Sequence, residues 1–142
     1  MPTSAPISLL GETVISASGA AAAATGLARY KGFVGSMTLS AKPAGGASTL
    51  DVYVQASPDG GTTWRDVVHY QFTTVLTTRV FQLSQVSAGS TGTLAASDAA
   101  LAGDTVVQGA FGDQLRVKYV MALNGDTGTF TLAVSGTPVG HD

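Results

Sequence analysis

The amino-acid sequence predicts an all-β protein, an antiparallel β-sandwich of the jelly-roll type. Apolar and polar residues alternate with a period of two along most of the chain, and no segment carries a sustained helical stripe. Turn signals rich in glycine, proline and aspartate separate these runs, as is typical of sandwiches. An immunoglobulin-like sandwich is the second choice, because the chain has no cysteine and its one tryptophan follows a turn.

The N-terminal segment, residues 1–26, is predicted to be an extended arm or an edge strand. The part from Ser16 to Gly26 carries no charged side chain, so it can lie along a neighbour without burying unpaired ions. We expect no signal peptide, because no basic region precedes the apolar residues and Glu12 interrupts them. We also expect no membrane partner, since no apolar run approaches the ~20 residues that span a bilayer.

Residues 27–142 are predicted to form a single β-sandwich domain. Alternation and β-branched or aromatic residues predict strands at 33–41, 50–56, 64–72, 78–83, 115–123 and 129–135. In the first strand Phe33, Met37 and Leu39 share the apolar face. In the second strand the residues opposite the apolar face are Asp51, Tyr53 and Gln55. The turn signal Asn124-Gly125-Asp126 separates the last two strands, which we expect to pair as a hairpin.

A tight hairpin is predicted between the second and third of these strands, at residues 57–64. The pattern S-x-D-x-G-x-x-W is formed by Ser57, Asp59, Gly61 and Trp64. The carboxylate of Asp59 can accept backbone N–H bonds across the turn, the glycines permit positive φ, and Trp64 can pack beneath the tip. The pattern resembles the Asp-box, a hairpin motif of sialidases and other β proteins, and this resemblance implies a structural role for the four residues.

The segment from residue 85 to 104 is too long and too rich in small residues to be a simple turn. Long loops in compact domains are commonly functional or disordered, and we interpret this one as a contact loop. A short helix near residues 97–102, capped by Ser97 or Asp98, is possible within it. The alternative is an excursion with no partner. The proposed contact residues are Ser87, Thr91, Leu94 and Leu101.

Charge and composition argue against several classes of function. Only 11% of the residues are charged, against about 25% in an ordinary domain, and the basic residues are scattered, so we expect no direct nucleic-acid partner. His69 and His141 form no metal pattern, and the aspartates show no paired-acid or EF-hand spacing. We therefore expect no catalytic residue, no metal and no cofactor, and predict that the protein is not an enzyme.

Two parts of the chain resemble small virion proteins of tailed bacteriophages. The first is LDVYVQASPDGGTTWRDVV at residues 50–68, and the second is GDQLRVKY at 112–119 followed by GTFTL at 128–132. The resemblance implies a capsid decoration, or cement, protein on the outer surface of the virion. Its implied partners are the major capsid protein and further copies of itself, as a homodimer or homotrimer.

Two alternatives to capsid decoration remain open at the level of sequence. The first is a neck or tail component of the virion, which would also be a small β domain bound to other subunits. The second is a carbohydrate-binding module that stacks a sugar ring on Trp64, Tyr70 or Tyr53.

Overall fold

The computed structural model describes residues 5–85, 98–107 and 111–140. Within these ranges the chain forms nine β-strands and no helix. The strands are β1 (Ile7–Ile15), β2 (Gly19–Ala20), β3 (Gly32–Ala41), β4 (Thr49–Ser57), β5 (Arg65–Phe72), β6 (Thr78–Ser84), β7 (Thr105–Val106), β8 (Gln114–Ala122) and β9 (Phe130–Val139). All the strands predicted from alternation are present, with ends that differ by a few residues.

The strands form two antiparallel sheets that pack face to face. One sheet has the order β1-β9-β3-β6 and the other the order β2-β8-β4-β5-β7. The pairing is nested, because β1 pairs with β9, β2 with β8, β3 with β6 and β4 with β5. This nesting is the strand order of a jelly roll, to which β7 adds a short edge strand beside β5. The predicted all-β antiparallel sandwich is confirmed.

The predicted hairpin between the last two strands is wrong. The turn itself is present, with positive φ at Asn124 and Gly125, but β8 and β9 lie in different sheets. The chain crosses at this turn from the five-stranded to the four-stranded sheet. A turn signal specifies where the chain changes direction, whereas the choice of partner strand depends on which faces bury their apolar residues together.

Residues 7–27 contribute to both sheets. Leu9, Leu10 and Ile15 of β1, the edge strand beside β9, are buried in the core. The chain then passes to the other sheet, where backbone N–H groups of Ala21 and Ala24 donate to carbonyl oxygens of β8. The division of the chain at residue 26 stays a prediction, but much of its first part lies against the sandwich.

The core between the sheets contains closely packed aromatic rings that need two glycines opposite each other. Gly35 of β3 pairs with Gly136 of β9 in the strand register. A Cβ at Gly35 would lie 2.3 Å from the ring of Phe81, and one at Gly136 would lie 2.5 Å from the ring of Phe33. These two rings stack with centroids 6.0 Å apart. The glycine pair therefore makes the space that the aromatic pair fills.

Two surface aspartates fasten loops to the sandwich. The carboxylate of Asp126 accepts hydrogen bonds from the backbone N–H groups of Ala47 and Ser48 and from the Ser48 hydroxyl, at 2.6 to 2.8 Å. Asp113 accepts from the N–H groups of Gly26 and Ala28. The Ser48 hydroxyl bond, followed by the two N–H bonds, lowers the pKa of Asp126, and the backbone N–H bonds lower that of Asp113.

These bonds predict a loss of stability in acid. Because the pKa of Asp126 is lower in the folded chain, its contribution is complete above the unfolded value of about 3.9 and disappears as the pH falls through the folded pKa. We expect the free energy of unfolding of Asp126→Asn to be lower at pH 7 and to change less between pH 5 and pH 2 than that of the wild type.

The acid prediction is checked by urea unfolding at a series of pH values. Glu12→Gln, a change at an exposed carboxylate of β1, is the control and should reproduce the wild-type pH profile. Equal pH profiles for Asp126→Asn and the wild type would show that the Asp126 bonds add nothing to the acid response.

Candidate functional site

The hairpin between β4 and β5 brings together the four residues of the predicted motif. The Ser57 hydroxyl donates to Asp59 Oδ1 and accepts the backbone N–H of Gly61 at 2.8 Å. Asp59 Oδ1 also accepts the N–H of Thr63 at 2.7 Å, and this bond is the main cause of the lowered pKa of Asp59. Gly60 and Gly61 both have positive φ. The contacts of the motif thus join its residues to one another and to the backbone of the turn.

Trp64 completes the hairpin from one side. Its indole N–H donates to the carbonyl oxygen of Gly61 at 3.1 Å, and the guanidinium of Arg116 lies 4.2 Å from the ring centroid. The side chain is half-buried rather than fully enclosed. Arg116 thus covers one face of the ring with a cation.

The predicted contact loop is described only in part. Ser87, Thr91 and Leu94 lie outside the described residues, whereas Leu101 lies against the outer face of the five-stranded sheet. Residues 98–102 form no helix, and Ala99 has a φ of 62°, so the expected short helix is absent from this part of the loop. We call residues 98–104 the docked segment.

Asp66 of β5 is the main anchor of the docked segment. Its side chain is 1% exposed, and its carboxylate accepts backbone N–H bonds from Ala99, Ala100 and Leu101 at 2.8 to 3.1 Å. A carboxylate that accepts several N–H bonds is well solvated by the protein, which compensates for its removal from water. The segment therefore has a defined place on the sheet.

A network of polar side chains extends the anchor across three strands. Gln55 of β4 is fully buried, and its amide donates to Asp66 and to Asp98 of the docked segment. Its oxygen accepts from Arg116 Nε at 2.8 Å. Lys118 of β8 binds Asp98 at 2.7 Å, and this contact is the main cause of the lowered pKa of Asp98. The sequence contained no signal for this network, because Gln55 and Asp66 are separate polar residues on predicted strands.

His69, three residues after Asp66 on β5, contacts the same segment. Its Nδ1 lies 2.7 Å from the carbonyl oxygen of Leu101, and its Nε2 lies 2.7 Å from Asp51 Oδ1. The ring stacks on Tyr53 with centroids 4.1 Å apart. Since both ring nitrogens contact groups of the protein, the imidazole acts here as a structural bridge. No group of three metal-ligating side chains occurs in the described ranges.

A cavity of about 250 Å³ opens between the two sheets at the edge formed by β6 and β7. Its lining includes Met37, Tyr70, Arg79 and Val106. The Arg79 guanidinium lies 4.5 Å from the centroid of the Tyr70 ring. Tyr70 also contacts Phe72 edge to face, with ring centroids 4.8 Å apart. With Tyr53 stacked on His69 and Trp64 beneath Arg116, all three residues considered as sugar platforms have ring contacts within the protein.

The outer face of the four-stranded sheet differs sharply from the face that carries the docked segment. Its outward side chains are hydroxyl-bearing or small and apolar, apart from the amide of Gln82, which lies opposite Val34 in the strand register, and we call this surface the neutral face. It includes Val14, Val34, Ser36, Thr38, Thr78, Val80, Ala133, Ser135 and Thr137. The two charged residues within the four strands are Glu12, where the pairing of β1 shifts, and Arg79, whose guanidinium lies over Tyr70 of the other sheet.

Comparisons with known proteins give no relative: no family model, no curated protein and no solved structure matches this chain. In the part of the chain described here, no helix is long and apolar enough to cross a membrane.

Proposed function

We propose that this chain is a structural protein of a tailed-bacteriophage virion, which binds the outside of the head and stabilises contacts between major capsid protein subunits. The observation that carries the proposal is the docked segment. A loop rich in small residues is held on the sheet by Asp66 and His69. Its outer side remains exposed at Ala100, Ala102 and Gly103. The identity of the shell rests on the resemblance of residues 50–68, 112–119 and 128–132 to phage virion proteins.

Anchoring suits a loop to a role in binding. Ordering a mobile segment on association costs free energy, so a segment already fixed by three N–H bonds to one carboxylate binds a partner at lower cost. The exposed residues in the middle of the docked segment, Ala100, Ala102 and Gly103, are small, which lets a flat partner approach the backbone there closely, and the exposed Asp98 and Asp104 lie at its two ends. Such a surface is suited to contact with a protein.

A decoration protein stabilises a shell by mass action. Many copies bind the assembled particle and not its separated subunits, so binding shifts the equilibrium towards the intact shell. The function requires contact surfaces and no reactive centre, so the proposal includes a non-enzymatic role on the virion surface. A neck or tail component would use similar contacts in far fewer copies.

The direct test is density-gradient fractionation of the native source, with quantitative mass spectrometry of this chain and of the most abundant shell protein. Co-migration with heads in a near-stoichiometric ratio is the expected result. A few copies per particle would instead place the chain at the neck or tail. Recovery only in the unassembled fraction, or binding to a glycan array, would overturn the virion proposal.

A substitution in the docked segment tests the contact itself. We expect Ala102→Arg to weaken binding to purified, undecorated heads by about tenfold or more, because the long cation must be desolvated or must push the partner away. Ala47→Arg makes the same change at an exposed position at the end of the sandwich that Asp126 fastens, and should bind as the wild type does. Co-sedimentation with heads measures both, and equal binding by the two variants would remove the docked segment from the interface.

A further inference from the structure

The two outer faces of the sandwich differ in how many charged side chains they carry. Strands of the five-stranded sheet contribute charged side chains to its outer side, among them Asp51, Asp66 and Lys118, and the docked segment lies over part of them. On the neutral face, the outward positions of β3, β6 and β9 carry no charged side chain. A monomer commonly stays soluble through a charged exterior, so three adjacent strands without an outward charge indicate a contact surface.

The neutral face contains exposed valines on three of its strands, of which Val34 and Val80 lie on neighbouring strands close to each other and Val14 lies beside Thr131 at the other end of the face. Val80 is 73% exposed, Val14 is 64% exposed and Val34 is 38% exposed. Serine and threonine hydroxyls surround them, including the Thr38–Thr78 pair, whose hydroxyl oxygens lie 3.0 Å apart. Hydroxyls of this kind can satisfy one another across an interface, since each is both a donor and an acceptor.

Charge identifies the occupant that fits best. A charged partner would lose the hydration of its ions against this face and find no counter-charge among the outward side chains of β3, β6 and β9. A two-fold contact places the same patch on both sides, so every charge on a patch must have a matching opposite charge within it. The outward positions of β3, β6 and β9 carry no charge and so meet this condition, and the exposed Glu12 lies on the edge strand β1.

The area of the face places such a contact among the small interfaces. Four strands spaced about 4.8 Å apart and seven residues of about 3.4 Å each give roughly 450 Å² per copy, or about 900 Å² for a pair. Specific interfaces below about 1,200 Å² are at the weak end of the range. The expected dimer is therefore weak and reversible.

We propose that the neutral face is the contact between two copies of this chain, packed sheet against sheet. This inference goes beyond the decoration role, since it needs no shell and can be tested on the purified protein. It also leaves the docked segment on the far side of each sandwich, where the two segments of a dimer point away from each other. Such a dimer presents two identical contact loops, and these suit it to bridging two neighbouring subunits.

The experiment is sedimentation-velocity ultracentrifugation of the full chain from about 1 to 500 µM, a range over which a weak dimer dissociates on dilution. Val80→Lys is expected to weaken dimerisation at least about tenfold, because a lysine in each copy would be buried without a counter-charge. Val75→Lys is the matched control, since Val75 is 65% exposed but lies in the connection between β5 and β6 and off the face. Its dimerisation should equal that of the wild type.

Each outcome decides the proposal. Circular dichroism and thermal unfolding establish that both variants are folded, and Val14→Lys on β1 provides a second change to the face. A wild-type chain that remains monomeric at 500 µM, or a dimer that Val80→Lys and Val14→Lys leave unchanged, would overturn it. If the wild type is monomeric yet Val80→Lys abolishes binding to heads, the face binds the shell: the second-copy inference is then wrong while the decoration proposal stands.

Discussion

Gly136→Ala is expected to lower the free energy of unfolding by about 3 kcal/mol, the upper end of the usual cost of overpacking a core. The added methyl group would lie 2.5 Å from the fully buried ring of Phe33 and 2.6 Å from the carbonyl oxygen of Val34. The ring is enclosed by the core, and the carbonyl belongs to the paired strand β3, so neither can move without disturbing the sheet.

Gly46→Ala provides the control for this experiment. A Cβ at Gly46 meets no atom within 4 Å, and its backbone needs no positive φ. We expect a change of less than about 1 kcal/mol, with stabilisation the more natural direction because alanine restricts the unfolded chain. Urea unfolding of the wild type, Gly136→Ala and Gly46→Ala measures these changes from the midpoints, provided that the three m-values agree. If the midpoints of Gly136→Ala and the wild type were equal, the ring would not be held where the structure places it.

Asp66→Ala is expected to release the docked segment. The substitution removes the carboxylate that accepts three backbone N–H bonds and the amide of Gln55, and we expect a loss of about 2 kcal/mol, since the loop N–H groups can bind water once they are released. The more specific result is faster hydrogen exchange at residues 99–101 with little change in the central strand β4.

Asp66→Asn separates the anchor from general destabilisation. The amide keeps one acceptor oxygen, so exchange at residues 99–101 should lie between that of the wild type and that of Asp66→Ala. Exchange is followed by mass spectrometry on both variants. Unchanged protection of these amides in Asp66→Ala would mean that contacts other than the carboxylate hold the segment, and it would weaken the case for a preformed contact loop.

Much of the architecture was predictable from the sequence, because a period of two directly reflects the alternation of side chains across a sheet. The long strands β3, β4, β5, β6, β8 and β9 were found in this way. The strands β2 and β7 have two residues each, too few to leave a pattern. The partner of β9 was missed, because a turn signal at Asn124 and Gly125 describes local backbone geometry and not the sheet to which a strand belongs.

The candidate site was less predictable than the fold. Alternation placed Gln55 opposite Val54 and Ala56, and it does lie on the outer side of the sheet, yet it is fully buried because the docked segment covers it. Burial of that kind depends on a loop more than 40 residues away in the chain. Likewise, Gly35 and Gly136 are separate glycines in the sequence, and their role follows only from the register that sets them opposite each other.

The nested strand order has a consequence for synthesis. In the four-stranded sheet β9 lies between β1 and β3, so β9, which is synthesised after the other described strands, occupies an inner position, and β1 has no partner in that sheet until β9 arrives. The half built from β4, β5 and β8 can pair earlier. Contacts between such distant parts of a chain make folding slow, typically milliseconds to seconds. Until β9 inserts, the edges of β1 and β3 that face it are unpaired, and unpaired strand edges are prone to pair with other chains.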